Sequence, residues 1–248
     1  GIVNNIAPVS TNDDCAIDSV NYVLSGATTG GGLNDASGTF FNSGVTTVTY
    51  TVTDLSGNTA SCNFTVTVND AINPTISCPA DTTLNTDPGV CSALVNGIAP
   101  LSANDNCAID SISYVLSGAT TGSGLNDASG IIFNEGLTTV TYTVTDSSGN
   151  MVSCNFTITV VDIELPTIVC PSNVTVNNDP GDCEADVFGL TPTLNDNCGI
   201  ASLNHVMTGA TIDTDSGDAS GEEFNVGVTT VTYYVVDING NTDSCSFT

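Results

Sequence analysis

Residues 139–146, TVTYTVTD, alternate strictly between apolar and polar side chains. In an extended chain Val140, Tyr142 and Val144 project to one side and the threonines between them project to the other. This period of two predicts a strand with one buried face. Residues 154–160 continue the alternation, with Cys154 and Phe156 on the inward side, and DSSGN at 146–150 has the composition of a hairpin turn.

The same hairpin recurs because the chain repeats itself about every 92 residues. DLSGN at 54–58 and DINGN at 237–241 match the turn, and two series of cysteines keep the same spacing: Cys15, Cys107 and Cys198, and Cys62, Cys154 and Cys245. Repeats of this length are longer than solenoid units and large enough to be small domains.

Each repeat contains six or seven short strands with turns every 8–12 residues, and no helical periodicity is visible. One of these strands is predicted over PTISCPADTTLN at 74–85, where it is opened by a proline. This pattern predicts an immunoglobulin-like β-sandwich. We therefore expect an all-β chain of tandem immunoglobulin-like sandwiches in an elongated array. The expected repeats are 1–70, which lacks the first strand (A) and the start of the second (B), 71–162, and 163–248, whose last strand is truncated.

The composition excludes several classes of partner. The chain has 27 acidic residues, no Lys and no Arg. Nucleic acids and anionic membrane surfaces are bound through Lys and Arg, so we expect no nucleic-acid partner. No apolar run approaches the length of a membrane span, so we expect no membrane insertion. Ten cysteines at repeat-locked positions predict disulfides, and hence an extracellular or cell-surface location.

The sequence offers little for catalysis. The single histidine, His205, takes the place of Tyr22 and Tyr114 in the other repeats, which predicts strand packing rather than a catalytic base. Neither a nucleophile elbow nor a glycine-rich phosphate loop is present, and a thin sandwich provides no deep cleft. We expect no enzymatic activity and no organic cofactor.

Several motifs resemble the hyalin repeat, or HYR, family. They are D-x-x-x-P-T-I-x-C-P at 70–79 and 162–171, D-P-G-x-C at 87–91 and 179–183, N-D-N-C at 104–107 and 195–198, and C-x-F-T in all three repeats. The resemblance covers essentially the whole chain. It implies extracellular immunoglobulin-like modules associated with adhesion, which suggests a function without demonstrating one.

With the strands in the order of such a sandwich, we expect two disulfides per complete repeat. Four cysteines allow three pairings, and the one we favour is Cys78–Cys107 with Cys91–Cys154, and Cys170–Cys198 with Cys183–Cys245. Cys15 and Cys62 would then pair with residues outside the 248 or in a neighbouring subunit. This leaves two alternatives: the chain is a window on a longer repeating polymer, or a neighbouring subunit donates the missing strand.

The same topology places three acidic elements at one end, or pole, of each repeat: the linker before its first strand, the loop that carries the N-D motif, and the hairpin turn. Asp side chains with backbone carbonyls are typical calcium ligands, whereas the bland alternative is that Asp and Asn cap local turns. We expect calcium at the junctions, with candidate ligands Asp13, Asp54, Asp70, Asp105, Asp146, Asp162, Glu164, Asp196 and Asp237.

The favoured function is a structural segment of an extracellular filament, stalk or matrix fibre whose partners are copies of itself. The alternative is an adhesin that binds glycan or protein through its loops, with these repeats as its stalk. Glycosylation is expected at the sequons of Asn63, Asn155 and Asn173.

Overall fold

A computed structural model describes residues 1–14 and 16–248. These residues form 21 β-strands and no helix, and so no helix that could cross a membrane. Contacts group the chain into two compact units. Unit 1 comprises Gly1–Thr75, Ala103–Ser111 and Val144–Val152, and unit 2 comprises Ile76–Ser102, Ile112–Thr143 and Ser153–Thr248.

The first repeat contains one sheet of four antiparallel strands in the order β2-β1-β3-β4. Its core consists of Leu24, Phe41, Val48 and Tyr50 with smaller neighbours. The strand β4 lies at the edge of the sheet and is mostly exposed. The strand bounds are β1 Ile17–Gly26, β2 Gly30–Leu33, β3 Gly44–Asp54 and β4 Thr59–Val68.

The second repeat has a five-stranded sheet in the order β10-β9-β12-β13-β6 and two strand pairs, β11-β7 and β5-β8. The strand β6 pairs with β13 in parallel, whereas β10 with β9 and β11 with β7 are antiparallel. The bounds are β5 Thr75–Ser77, β6 Thr82–Asn85, β7 Ser92–Val95, β8 Ser102–Asn104, β9 Ile109–Gly118, β10 Gly122–Leu125, β11 Ile131–Asn134, β12 Gly136–Asp146 and β13 Met151–Val161.

The third repeat keeps this plan, with a sheet in the order β18-β17-β20-β21 and the pairs β15-β19 and β14-β16. It has no strand equivalent to β6. The bounds are β14 Thr167–Val169, β15 Glu184–Val187, β16 Thr193–Asn195, β17 Ile200–Gly209, β18 Asp213–Ser216, β19 Glu222–Asn225, β20 Thr229–Asp237 and β21 Thr242–Phe247.

One buried tyrosine organises each core. The Tyr142 hydroxyl accepts a hydrogen bond from Ala128 N at 2.9 Å and donates one to Ile98 O at 2.9 Å. Tyr50 and Tyr233 make the equivalent pair of bonds in their own repeats. The hydroxyl therefore ties two loop segments to the sheet by satisfying one backbone donor and one acceptor inside the core.

The alternation that predicted the hairpin is confirmed. Val140, Tyr142 and Val144 are fully buried, and Phe156, Ile158 and Val160 are nearly so. The tandem all-β sandwich class is confirmed as well. One detail was wrong: the stretch predicted as a single strand, PTISCPADTTLN, forms two short strands, β5 and β6. They belong to different sheets, because the chain crosses between the sheets at Cys78 and Pro79.

Candidate metal centres

Three carboxylates converge in unit 2 where the linker of the third repeat begins. Asp162 directly follows β13, Asp196 follows β16, and Asp237 ends β20. Each residue offers a carboxylate oxygen, and these three oxygens all lie within 4.8 Å of one another. Asp162 and Asp237 are only 3% and 1% exposed. We call these three residues the buried triad.

Asp196 and Asp237 each use one carboxylate oxygen to accept hydrogen bonds from nearby backbone amides. Asp196 Oδ2 accepts from Cys198 N at 2.9 Å and Gly199 N at 2.7 Å. Asp237 Oδ1 accepts from Asn239 N at 2.9 Å and Asn241 N at 2.8 Å, as expected of an Asp that caps a hairpin turn. These bonds fix the orientation of both carboxylates.

Two of the other triad oxygens have no donor, whereas Asp237 Oδ2 accepts from Asn241 Nδ2 at 2.7 Å. Asp162 Oδ2, Asp196 Oδ1 and the nearby Asn197 Oδ1 are buried and accept no hydrogen bond. Buried charges are normally paired or bound to metal, and the chain has no Lys or Arg to pair with them. Several inward oxygens with no protons to meet them form the donor set that a hard divalent cation such as calcium prefers.

A related cluster lies in unit 1 at the linker of the second repeat. Asp70, Asp105 and Cys107 place one ligand atom each within 4.8 Å of the others, and Asp70 Oδ2 and Asp105 Oδ1 are buried without a partner. A hydrogen bond from the Cys107 thiol lowers the pKa of Asp70, and the same bond raises the pKa of Cys107. This cluster is more open than the buried triad, because none of its residues is fully buried.

The other predicted calcium ligands lie outside these two clusters. Asp146 and Asp54 cap their hairpin turns, and Asn58 and Asn150 donate side-chain bonds to them at 2.7 Å. The Asn58 bond is the main cause of the lowered pKa of Asp54. Glu164 Oε2 accepts from Gly89 N at 2.9 Å. Asp13 Oδ2 accepts from Ala16 N at 3.3 Å, close to the loop position that Asp105 takes in the next repeat.

Two asparagines that we did not predict hold the linkers. Asn150 Nδ2 donates to Asp70 O at 3.1 Å and Ile72 O at 3.3 Å. Asn241 Nδ2 donates to Asp162 O at 3.3 Å. Each is the last residue of a D-x-x-G-N turn, so the repeated asparagine was the signal available in the sequence. The turn therefore binds the linker directly, with or without a cation.

The predicted disulfide pairings were wrong. The structure has Cys78–Cys154, Cys170–Cys245 and Cys91–Cys198, so none of Cys78–Cys107, Cys91–Cys154, Cys170–Cys198 and Cys183–Cys245 forms. Cys78 lies between β5 and β6, midway along the segment predicted as one strand. It therefore bonds to Cys154 on β13, and does not lie at the end of the repeat where it was expected to meet Cys107. Cys91 joins the second repeat to the loop of the third, a link that reasoning within one repeat could not find.

Three cysteines among the described residues carry exposed free thiols: Cys62, Cys107 and Cys183. Cys107 and Cys183 were predicted to be bonded and are not. The partner of Cys62 stays a prediction, and that of Cys15 lies outside the described residues.

The three predicted glycosylation sites are exposed, whereas the single histidine is buried. Asn63, Asn155 and Asn173 are exposed, as a glycan would require, and their glycosylation stays a prediction. His205 is fully buried, with its ring edge-on to Tyr233 and Nδ1 3.1 Å from Gly217 O. It packs within the strand layer, where it replaces a tyrosine.

Comparison with known proteins finds hyalins and a bacterial adhesin among the similar chains. Hyalin of Strongylocentrotus purpuratus is 36% identical over 236 residues, which are 92% of this chain and 18% of that protein. Hyalin of Lytechinus variegatus is 33% identical, covering 85% of this chain and 37% of that protein. The serine-rich adhesin for platelets of Staphylococcus aureus strain MRSA252 is 28% identical over 56% of the chain and 10% of the adhesin. The chain thus spans well under half of each relative.

Solved structures with a similar arrangement are more distant. A tetra-tandem repeat from the extending region of a large adhesion protein has a TM-score of 0.45 at 19% identity, over 94% of this chain and 67% of that one. Protocadherin gamma B2 extracellular cadherin domains 1–5 give 0.36 at 12% identity, over 92% and 52%. At these TM-scores the similarity supports no conclusion about function.

The three disulfides and the kinship to hyalin assign the chain to the extracellular space or the cell surface. It is an extracellular repeat protein whose relatives include hyalins and a serine-rich adhesin. The HYR domain family matches residues 18–68, 69–160 and 161–248. The chain therefore belongs to the HYR domain family.

Proposed function

We propose that this chain is a structural segment of an extracellular filament, stalk or matrix fibre, and that calcium stiffens the junctions between its repeats. The repeats, which we assign as 1–70, 71–162 and 163–248, supply length. Its partners are copies of itself. The observation that carries the proposal is the buried triad, in which carboxylate oxygens from a linker, a loop and a turn lie within 4.8 Å of one another and Asp162 and Asp196 each keep one buried oxygen without a donor.

A cation in the triad would connect three elements that are distant in sequence. Asp162 belongs to the linker, and Asp196 and Asp237 belong to the third repeat. Extracellular calcium modules bind at about 10⁻⁴–10⁻³ M, so such a site fills in a calcium-rich exterior. A divalent cation also screens a chain whose net charge is −27, which would otherwise oppose the close approach of copies.

Electron microscopy of negatively stained full-length material tests the proposal. We expect beaded threads in about 10 mM calcium, well above the dissociation constants of such sites, and more flexible threads in EDTA at matched ionic strength. An Asp162→Asn variant should be flexible in both buffers. The matched control is Asp110→Asn, which removes the same charge from an exposed strand position and should behave like the unmodified chain. Dispersed monomers in calcium would refute the filament, and equal bending with and without calcium would refute the stiffening.

A second candidate is an adhesin in which the third repeat contacts glycan or protein. It is favoured by apolar side chains that this repeat exposes where the others carry polar ones: Phe188, 73% exposed, replaces Asn96, and Tyr234, 47% exposed, replaces Thr143. Binding of the full chain to a glycan array, lost in Phe188→Asn and Tyr234→Thr together, would support it. An array without signal would eliminate glycan as the ligand.

A further inference from the structure

Asn197 lies between the buried triad and a disulfide. It follows Asp196, a member of the triad, and it precedes Cys198, which is bonded to Cys91. Three consecutive residues of one loop therefore supply a carboxylate of the triad, an amide side chain and a covalent link to the second repeat. Any movement of this loop moves all three groups together.

The hydrogen bonds of Asn197 fix which end of its amide faces inward. Nδ2 donates to Asp162 Oδ1 at 3.1 Å and to Val90 O at 3.2 Å. Both partners are acceptors, so the reverse orientation of the amide would place oxygen against oxygen. The Oδ1 atom is therefore enclosed beside the Asp162 carboxylate, where it is buried and accepts no hydrogen bond. It is an uncharged oxygen of the kind that completes calcium sites.

A second chain of contacts joins the same disulfide to Asp237. The Glu135 amide donates to Cys91 O at 3.2 Å, and Glu135 Oε1 accepts from Asn239 Nδ2 at 2.9 Å. Asn239 N in turn donates to Asp237 Oδ1 at 2.9 Å. Cys91 is thus connected to the buried triad from two directions, through Asn197 and through the hairpin turn of the third repeat.

We propose that Asn197 Oδ1 is a further ligand of the cation in the buried triad, and that Asn197 couples this cation to the Cys91–Cys198 disulfide. Calcium then keeps this disulfide oxidised, and reduction of the disulfide weakens calcium binding. The inference rests on the proposed function, because it adds a ligand and a control to the same cation site. All of the groups involved lie in unit 2.

Reduction acts on the site because the disulfide holds together two segments that share few other contacts. The Cα atoms of Cys91 and Cys198 are 4.7 Å apart. Once the sulfurs separate, the bond from Asn197 to Val90 O is the one hydrogen bond left between residues 90–91 and 197–198 in the described part of the chain. Val90 is 47% exposed, so water competes for its carbonyl. The amide of Asn197 can then rotate, and its oxygen no longer stays beside Asp162.

The redox step is an exchange with a small dithiol such as dithiothreitol. One dithiol thiolate attacks a sulfur of the Cys91–Cys198 bond, forms a mixed disulfide and releases the other cysteine as a thiolate. The second dithiol sulfur then displaces the bound cysteine and closes a cyclic disulfide. The protein disulfide gains two electrons and two protons and becomes two thiols, and the dithiol is oxidised.

The size of the effect follows from the reciprocity of coupled equilibria. At about 10 mM calcium and a dissociation constant of about 10⁻⁴–10⁻³ M, calcium shifts the disulfide equilibrium by about 10–100-fold if reduction abolishes the site. If reduction weakens calcium binding by about tenfold, the shift is about 5–9-fold. The ratio of reduced to oxidised dithiothreitol at half-reduction should rise by the same factor.

The test uses the full chain with its reactive thiols first blocked by iodoacetamide. It is equilibrated over a series of dithiothreitol ratios, in about 10 mM calcium or in EDTA at matched ionic strength, and new thiols are labelled with a heavier reagent. Cleavage before aspartate places Cys91 in peptide 87–104 and Cys198 in peptide 196–212, so mass spectrometry reads this bond separately. Its midpoint ratio should rise at least about fivefold in calcium. The midpoints of the other two disulfides should shift less.

An Asn197→Ala variant removes the ligand and the coupling together. It should fold, because Asp162 Oδ1 keeps two other donors. Its Cys91–Cys198 midpoint should not respond to calcium, and calorimetric titration should show calcium binding at one site weakened by at least about tenfold. The matched control is Asn195→Ala, at an exposed position of the preceding strand, which should behave like the unmodified chain in both measurements.

Two results would overturn the inference: an equal calcium shift at all three disulfides, or an Asn197→Ala midpoint that responds to calcium as the unmodified chain does. The measurement on the unmodified chain needs no substitution, so it decides even where a variant fails to fold. If calcium stiffens the threads but leaves the Cys91–Cys198 midpoint unchanged, the inference fails and the proposed function stands. If calcium neither binds in calorimetry nor stiffens the threads, both the inference and the calcium stiffening fail.

Discussion

Replacing Asp162 by Asn should change stability in opposite directions with and without calcium. Asp162 Oδ1 accepts bonds from Thr86, Asn197 and the Glu164 amide, and the amide oxygen of Asn can keep all three, each weaker than a bond to a carboxylate. The larger change falls on Oδ2, which faces the triad without a partner. In EDTA the new NH₂ group donates to a neighbouring carboxylate and removes like-charge repulsion. In calcium a charged ligand is lost.

The two effects have comparable size. Two unit charges about 5 Å apart, close to the 4.8 Å limit of the triad, repel by about 1–3 kcal/mol between bulk water and an effective dielectric constant of about 20. The variant should thus be more stable than the unmodified chain by at least about 1 kcal/mol in EDTA. At about 10 mM calcium a site with a dissociation constant of about 10⁻⁴–10⁻³ M adds about 1.4–2.7 kcal/mol to the unmodified chain. The variant should gain little of this.

Guanidinium unfolding followed by circular dichroism, in EDTA and in calcium, measures both values. The expected result is a reversal of order between the two buffers, with Asp110→Asn showing no reversal. The reasoning is refuted if Asp162→Asn is the less stable protein in EDTA, or if calcium stabilises the variant as much as the unmodified chain.

Tyr142→Phe should lower the free energy of unfolding by about 2–4 kcal/mol, because it leaves a buried amide and a buried carbonyl unpaired. Tyr114→Phe, at a half-buried neighbouring ring, should lower it by under about 0.5 kcal/mol. Thermal unfolding compares the two variants, and equal losses of stability would contradict the role of the hydroxyl. Gly118→Ala should destabilise by at least about 2 kcal/mol, because φ is +110° and a Cβ would clash with Leu137 O; an unchanged midpoint would argue against this backbone geometry. Burial alone would raise the pKa of Asp146, but hydrogen bonds from its turn lower it on balance, so its contribution to stability is present above the unfolded-state pKa of about 3.9 and is lost as pH falls through the lower folded-state value. Carbon-detected NMR titration should give Asp146 a pKa below its ordinary unfolded-state value, and a pKa above that value would be inconsistent with the hydrogen-bonded turn.

The sequence was most informative where the physics is local. The inward set Val140, Tyr142 and Val144 follows from a period of two that depends on nothing outside the strand. The convergence of Asp162, Asp196 and Asp237 at one linker followed from sandwich topology, since alternate loops of an antiparallel fold share a pole.

What could not be predicted depends on how one repeat meets the next. The bond between Cys91 and Cys198 needs the turn of one repeat to reach the loop of another, and no periodicity within a repeat encodes that approach. Cys78 was misplaced for a different reason. Proline after it ends β5 and lets the chain cross between sheets, and a single-strand interpretation hid this crossing.

The disulfides limit how far the chain can extend when its ends are pulled apart. Cys78 is joined to Cys154, and Cys170 to Cys245, so the shortest covalent path from Cys78 to Cys245 runs only from Cys154 to Cys170. Fully stretched, that path measures about 55 Å, whereas the whole intervening chain would reach about 580 Å. Even if every hydrogen bond in these repeats ruptured under tension, almost none of the contour length between Cys78 and Cys245 would be released until a sulfur–sulfur bond broke.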